Sequence, residues 1–263
     1  MFLEKISIKK LRNIKEADLQ LNKRTNVIIG ENAAGKTSFL EAIDILSRGR
    51  SFRTNKLDSL VQAGQNELYV GALTGPNKKK LEIKKSKNKT RVFVDSKEEK
   101  QQSKITENLA IQSIHPNSHA LVEGSPLERR AFLDWGLFHV EQNFKKEYAK
   151  YLKLLRQRNE ALKAKNPEEK IWMEQLAPVG SKISEMRKNY ISSLQNHFVT
   201  MQQKIMPDVD LIFKYEKGWD GEKDLLSALR ERNNIDFERG YTSCGPQNAD
   251  VKIELNNKEA QRV

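Results

Sequence analysis

Cysteine is almost absent from this 263-residue chain. Cys244 stands alone, so no disulfide can close within the chain and no cysteine-rich zinc site can be built, in keeping with a reducing compartment. Histidine is scarce too. His115, His119, His139 and His197 offer one i, i+4 pair, with no cysteine or carboxylate nearby to complete a ligand set, which argues against structural zinc. No run approaches the roughly 18–20 apolar residues of a membrane span, and the N-terminal MFLEKISIKK alternates like a strand where a signal peptide would carry an apolar block. A cytoplasmic protein without a membrane partner is the expectation. Ser125, Ser243 and Cys244 lie in no nucleophile-elbow context, so no hydrolytic triad is indicated. Aromatic residues make up 7% of the chain and apolar residues 37%, against 31% charged. That composition gives a small core per residue, as an elongated shape or a long solvated arm would.

What is abundant is positive charge. The net charge of +12 favours a polyanionic partner, nucleic acid first, with solubility as the simpler explanation. Residues 30–37 read GENAAGKT, a G-x-x-x-x-G-K-[ST] run between the apolar Val27-Ile28-Ile29 and the helix-forming Phe39-Leu40-Glu41-Ala42-Ile43. In that setting the run is a phosphate-binding loop. Backbone N–H groups of Gly30, Glu31, Asn32, Ala33, Ala34 and Gly35 are expected to cradle phosphate oxygens, continuing through Lys36, Thr37 and Ser38. Lys36 can reach the β- and γ-phosphates, and the Thr37 hydroxyl can ligate Mg²⁺. The implied ligands are ATP and Mg²⁺.

The chain reads as α/β. Strands are expected around Phe2–Ile8, through Leu19 and Leu21, and over 25–29, 68–73, 81–85, 91–94 and 109–114, forming a mixed sheet. From Pro126 the period changes. Leu133, Leu137, Val140, Phe144, Tyr148, Tyr151 and Leu155 step by three or four, as do residues from Trp172 to Ile205. Two antiparallel helical stretches forming an arm are expected, with Asn166 capping the second and Pro178 kinking or breaking it. Alternation returns at Val209, Leu211, Phe213 and Tyr215. A short helix over 224–232 and a strand over 249–255 follow, with Asn256-Asn257 as a hairpin turn. The expected domains are a head of residues 1–120 and 207–263, incomplete at its C-terminus, and a helical arm of residues 121–206.

Residues 78–104 concentrate Lys78, Lys79, Lys80, Lys84, Lys85, Lys87, Lys89, Arg91, Lys97, Lys100 and Lys104. On a hairpin, Lys84, Lys85, Lys87 and Lys89 are candidate contacts to a DNA backbone; a solvated edge protected by lysines is the competing explanation. Phe93 is the lone aromatic of the stretch, so stacking on single strands is not indicated.

The sequence resembles the RecF family, recombinational-repair proteins of the SMC-like branch of ABC ATPases. The carriers are LRNI at 11–14, GENAAGKTSFLEAI at 30–43, GRSFR at 49–53, EGSPLERRAFLDW at 123–135 and RGYTSCGPQNADV at 239–251. The resemblance implies an ABC-ATPase-like P-loop head split by a helical arm, and ATP-dependent dimerisation. It also implies binding to duplex DNA and single-strand/duplex junctions at replication gaps, with RecO and RecR as partners in loading RecA, in DNA damage repair and the SOS response. By the same resemblance Arg12 and Asn13 lie near the adenosine, and Gln112 senses Mg²⁺ and the γ-phosphate. Three positions depart from the family pattern: Ala33 replaces a usual glycine, Gln247-Asn248 follow Gly245-Pro246, and His115-Pro116-Asn117-Ser118 lacks an acidic Pro-Glu pattern.

No LSxGQ-type signature and no apolar strand ending in paired acids occurs in the 263 residues. The chain thus reads as the N-terminal portion of a longer protein. That longer protein is expected to be a weak DNA-stimulated ATPase; this portion is expected to lack hydrolysis, to bind nucleotide weakly at best and to stay monomeric with ATP. A small-molecule P-loop kinase and an SMC-type structural tether remain as alternatives. The first lacks a lid and a substrate base near the loop, and the second calls for more heptads than the arm holds.

Overall fold

A computed structural model describes residues 1–54, 56–256 and 258–260. Contact density divides the chain into two units, Met1–Ile114 and His115–Val263.

The first unit is a one-sided antiparallel sheet covered by a helix. Its strands are β1 (Phe2–Leu11), β2 (Ile14–Gln20), β3 (Glu67–Gly75), β4 (Lys80–Ser86), β5 (Thr90–Val94) and β6 (Lys97–Glu99), in the spatial order β2-β1-β3-β4-β5-β6. Alternation sets the faces. Ile6 pairs with Ala72 and Ile8 with Val70; Leu81 and Ile83 extend the same face across β4. Helix α1 (Lys36–Arg48) lays Phe39, Ala42, Ile45 and Leu46 on it, and all are buried. Phe39, Ile45 and Leu46 each contribute about 1.5–3 kcal/mol of transfer free energy. Gly49 ends α1 in the left-handed region (φ 70°), its N–H donating to the Ile45 carbonyl at 2.8 Å.

Two expected strands of this unit did not form. Residues 25–29 and 109–114 take no regular structure. A strand is defined by its ladder, and among the described residues neither segment has a pairing partner. Consequently Val27 (79%) and Ile29 (87%) are exposed rather than buried. Leu109 still enters the core, next to Ile105 of the short α2 (Ser103–Thr106).

The second unit starts with α3 (Ala120–Glu123) and α4 (Pro126–Val140), continues through α5 (Phe144–Lys163) and α6 (Glu169–Ile205), and adds β7 (Leu211–Glu216), α7 (Leu225–Glu231), α8 (Asn233–Arg239), β8 (Asp250–Leu255) and β9 (Lys258–Glu259). The first expected helical stretch is two helices, since Glu141 turns extended and Gln142-Asn143 start afresh at Phe144. The second is a single 37-residue helix that runs through Pro178. Pro178 and Glu174 are both exposed, so the carbonyl that proline cannot bond lies on the solvent side of the helix. Asn166 acts one turn early. Its side chain accepts from the Glu168 N–H at 2.9 Å, and the helix begins at Glu169.

The core of this unit joins Leu137, Phe144, Tyr151, Leu176, Ile183 and Leu229. Strands β7, β8 and β9 form their own small sheet, with Gln195 of α6 accepting from Phe213 N and donating to Leu211 O along the β7 edge. Residues from 207 onward thus group by contact with the arm helices, whereas the sequence reading assigned them to the head. Asn256 takes the expected turn conformation (φ 47°) between β8 and β9; Asn257 lies outside the described residues.

Buried ion pairs lock the unit. Arg187 forms a two-pronged pair with Asp134 (2.8 Å to each oxygen) and donates to Pro246 O. Arg129 grips Asp250 in the same way, and Arg130 donates to Ala249 O. The blocks at 123–135 and 239–251, far apart in sequence, therefore meet through these arginines.

Candidate functional site

The loop from Gly30 to Gly35 closes the space between β1 and the start of α1. It needs three residues at positive φ: Gly30 (155°), Ala33 (64°) and Gly35 (100°). A Cβ on Gly35 would come within 3.4 Å of the Asn13 side chain, so glycine lets the loop lie against the β1–β2 turn. Ala33 tolerates the left-handed region at a steric cost that glycine would avoid.

Asn13 ties the loop down from that turn. Its Nδ2 donates to the Ala33 carbonyl at 2.6 Å, and its Oδ1 accepts from Ser38 Oγ at 3.0 Å. Lys36 Nζ donates to the carbonyls of Gly30 (2.8 Å) and Glu31 (2.7 Å), folding the ammonium back over the loop. These carbonyls occupy the acceptor role that phosphate oxygens would take, and the ammonium is already inside the cradle.

The loop opens on a cleft of about 520 Å³ lined by Arg12, Asn13, Asn32, Ala33, Ala34, Gly35, Lys36, Thr37, Ser38 and Arg53. Its only ionised lining groups are three cations, so it is suited to an anion. The start of α1 adds free backbone N–H groups and the positive end of its dipole. Among the described residues no cluster of three or more His, Cys, Asp or Glu could hold a metal by itself. A hard cation here would rely on the exposed Thr37 hydroxyl and on oxygens of the ligand, the mode suited to Mg²⁺.

Sequence reasoning missed the group that organises this wall. Glu41, one turn beyond Thr37, is completely buried. It accepts from Arg12 through Nε and, at 2.8 Å, through Nη2; it also accepts from Ser51 Oγ, and Arg53 Nη1 stands 3.9 Å away. The hydrogen bonds that Arg12 donates to Glu41 raise its guanidinium above its ordinary value despite partial burial. Arg53 is the looser partner, with its side chain 46% exposed. The signal for Glu41 was a carboxylate on the helix face that otherwise carries Phe39, Ala42 and Ile45.

Other expected residues lie elsewhere. Gln112 is exposed, donates to Ser113 O at 3.3 Å and does not line the cleft. Neighbouring Ser113 instead bonds Asp44 of α1 at 2.9 Å. The four hairpin lysines do not form one surface. Lys85 turns to the helix-covered face, half-buried, and donates to Gly49 O at 2.7 Å; burial lowers its pKa. Lys84 lies over the Phe93 ring on the open face, Lys89 faces Glu98 at 3.8 Å, and Lys87 is exposed at the turn. The open face alternates charge: Lys9–Glu16 at 2.6 Å, Lys80–Glu82 at 2.9 Å and Arg91–Glu67 at 3.1 Å. Tyr69 lies among them, its hydroxyl donating to Glu82 at 2.8 Å.

With this geometry in view, comparison with known proteins is informative. A family model described as an AAA ATPase domain matches residues 1–217. The DNA replication and repair protein RecF of Shewanella loihica is 33% identical over 266 residues, covering 99% of this chain and 74% of that protein. RecF of Hydrogenovibrio crunogenus is 36% identical over 259 residues, covering 96% and 72%. A solved structure of the recombination mediator protein RecF-ATP in the RecFOR pathway matches with TM-score 0.90 at 27% identity, covering 100% of this chain and 75% of that one. The Smc head domain of Pyrococcus furiosus, with an extended coiled coil, matches at TM-score 0.55 and 16% identity, a likeness of fold alone. These likenesses bear out the expected α/β, ABC-ATPase-like fold class, here with every sheet ladder among the described residues antiparallel.

Proposed function

Because this chain belongs to the RecF family of DNA replication and repair proteins, we propose that it binds ATP on the loop Gly30–Ser38 and uses the nucleotide to control its hold on DNA in recombinational repair. The observation that carries this reading is the cleft itself. A lysine ammonium, two arginines and the α1 N-terminus converge on one space, beside a loop whose backbone reaches positive φ where a phosphate cradle requires it. ATP is the cofactor that a relative carries in its printed description, RecF-ATP. Mg²⁺ would be held by Thr37 and by phosphate oxygens, with Arg12 and Asn13 at the adenosine side; the position of Gln112 gives its part in metal sensing no support.

The finer reading follows the family. ATP favours a homodimer in which each nucleotide makes contacts from both subunits. The dimer binds duplex DNA and junctions at replication gaps and acts with RecO and RecR in loading RecA. In this scheme residues 121–206 are the arm. The packing of β7 and β8 on α4 and α6 favours reading 207–260 as the base of that arm rather than as part of the head. The sheet-forming residues of the first unit and the long helical insertion favour this over a small-molecule kinase.

The test is coupling. Duplex binding is followed by fluorescence anisotropy with and without Mg-ATP, alongside sedimentation of the same samples. In a chain as long as its relatives ATP should raise both DNA affinity and the dimer fraction, while the 263-residue chain by itself should stay monomeric. DNA affinity indifferent to ATP would refute the switch.

A further inference from the structure

Residues 115–263 carry 24 lysines and arginines against 22 aspartates and glutamates, so this unit is close to neutral overall. About half of its cations are committed. Arg129, Arg158 and Arg187 are buried in ion pairs, and Lys182, Lys214, Lys223 and Lys252 bond acids at the surface.

Helix α5 (Phe144–Lys163) gathers the largest group of cations left without a side-chain partner among the described residues, the others being Lys170, Lys188, Lys204, Arg232, Arg239 and Lys258. Lys146, Lys150, Lys153, Arg156 and Lys163 are all exposed, and among the described residues none forms a side-chain ion pair or hydrogen bond. At 100° per residue they fall within an arc of about 140°, opposite the stripe of Phe144, Tyr151, Leu154 and Leu162 that enters the core. Glu160 is the only acid in that arc. Glu147 lies on the flank of the helix and is engaged by Lys182 of α6 at 2.8 Å.

A solvated helix face ordinarily alternates sign, because like charges at i, i+3 and i, i+4 oppose helix formation. Here Lys146/Lys150, Lys150/Lys153 and Lys153/Arg156 are all such neighbours. The arc exposes Ala149 but no aromatic ring, so it offers nothing for bases to stack on. It runs about 26 Å from Lys146 to Lys163, the length of seven to eight base pairs of duplex.

We infer that the exposed face of α5 is a binding surface for the phosphate backbone of duplex DNA, tracked by Lys146, Lys150, Lys153, Arg156 and Lys163. The inference rests on the DNA-binding reading above, and it moves the main contact away from the β4–β5 hairpin. There, Lys85 is turned inward and the neighbouring open-face cations are already paired.

The test uses the 263-residue chain with Lys146→Gln, Lys150→Gln, Lys153→Gln and Arg156→Gln combined, and a companion carrying Lys146→Arg, Lys150→Arg and Lys153→Arg. Anisotropy of a labelled duplex is measured between about 50 and 200 mM salt, with ATP-analogue affinity and far-UV circular dichroism as checks on folding. The neutralised chain should keep its helicity and nucleotide affinity, while its slope of log affinity against log salt becomes shallower by about 0.9 per lost contact. The arginine companion should bind as the parent does. A parent that binds duplex with a slope unaltered by the neutralisation would overturn this surface alone. So would equal weakening in the arginine companion. A parent that binds no duplex at any salt would overturn the DNA reading and this surface together.

Discussion

Replacing Glu41 probes both the stability of the first unit and the shape of its cleft. The side chain is fully buried and accepts from Arg12, Ser51 and, more distantly, Arg53. Removing one member of a fully buried pair costs about 3–5 kcal/mol, since the partner charge is left without compensation. Arg12 keeps one-fifth of its side chain in solvent, so Glu41→Ala should cost less, about 2–3 kcal/mol. For a unit of this size that is a fall in Tm of roughly 6–12 °C. Glu41→Gln keeps the shape and one acceptor and should cost about 1–2 kcal/mol. If the two groups act as a pair, Arg12→Ala and Glu41→Ala together should cost less than the sum of each, with a coupling of at least about 1 kcal/mol. Thermal and urea unfolding of the four chains supply the cycle, and titration of an ATP analogue should show weaker binding by Glu41→Ala as Arg12 and Arg53 lose their anchor. A Tm change below about 2 °C, or strict additivity, would refute the role assigned to Glu41.

Three further outcomes are expected. Lys85→Gln should lower stability through the lost bond to Gly49 O, yet leave the salt slope of duplex binding unchanged; a shallower slope would return Lys85 to the DNA surface. Burial pushes the Asp250 carboxyl up, but hydrogen bonds from Arg129 and the Val251 N–H outweigh it and hold the group below its usual range. Its contribution is therefore complete above the unfolded value of about 3.9 and is lost as pH falls through the lower folded value; Asp250→Asn should flatten urea midpoints against pH below about pH 4, and an unchanged acid limb would contradict this. Burial, reinforced by Asp236, pushes the Cys244 thiol up to about 11, so thiol-specific reagents at pH 8 should label it far more slowly in the native chain than in denaturant, and equal rates would place the side chain at the surface.

The loop was legible because its chemistry is local. Glycine, lysine and threonine spacing and the helix pattern that follows fall within about twenty residues, and Lys36, Thr37 and Ser38 line the cleft as that spacing requires, although the flanking strand did not form. Arg12 and Asn13 were reached through the family blocks, and the structure brings both to the cleft wall. Glu41 and Arg53 were not, because a glutamate in a helix pattern reads as solvent-facing until the fold buries it. Periodicity located α5 and α6 but not the break at Glu141–Asn143, where helical spacing continues in phase across a turn. It also over-read residues 25–29 and 109–114. Apolar alternation marks the capacity to form a strand, while a ladder requires a partner that no window of sequence can supply. The basic hairpin divided its lysines between two faces for a related reason. The count of lysines was right, but strand register sent Lys85 to one face and Lys84 to the other, and set Glu67, Glu82 and Glu98 among the cations.

The account stands on the claim that residues 30–38 form a phosphate site whose mobile cation is Lys36. Calorimetric titration of Mg-ATP into the parent chain and into Lys36→Ala tests it directly, with circular dichroism showing both chains folded. Saturable binding by the parent and affinity at least tenfold weaker in the variant is the predicted result, a loss of about 1.4 kcal/mol or more. Affinities within about twofold of each other, or no saturable binding by the parent, would contradict it.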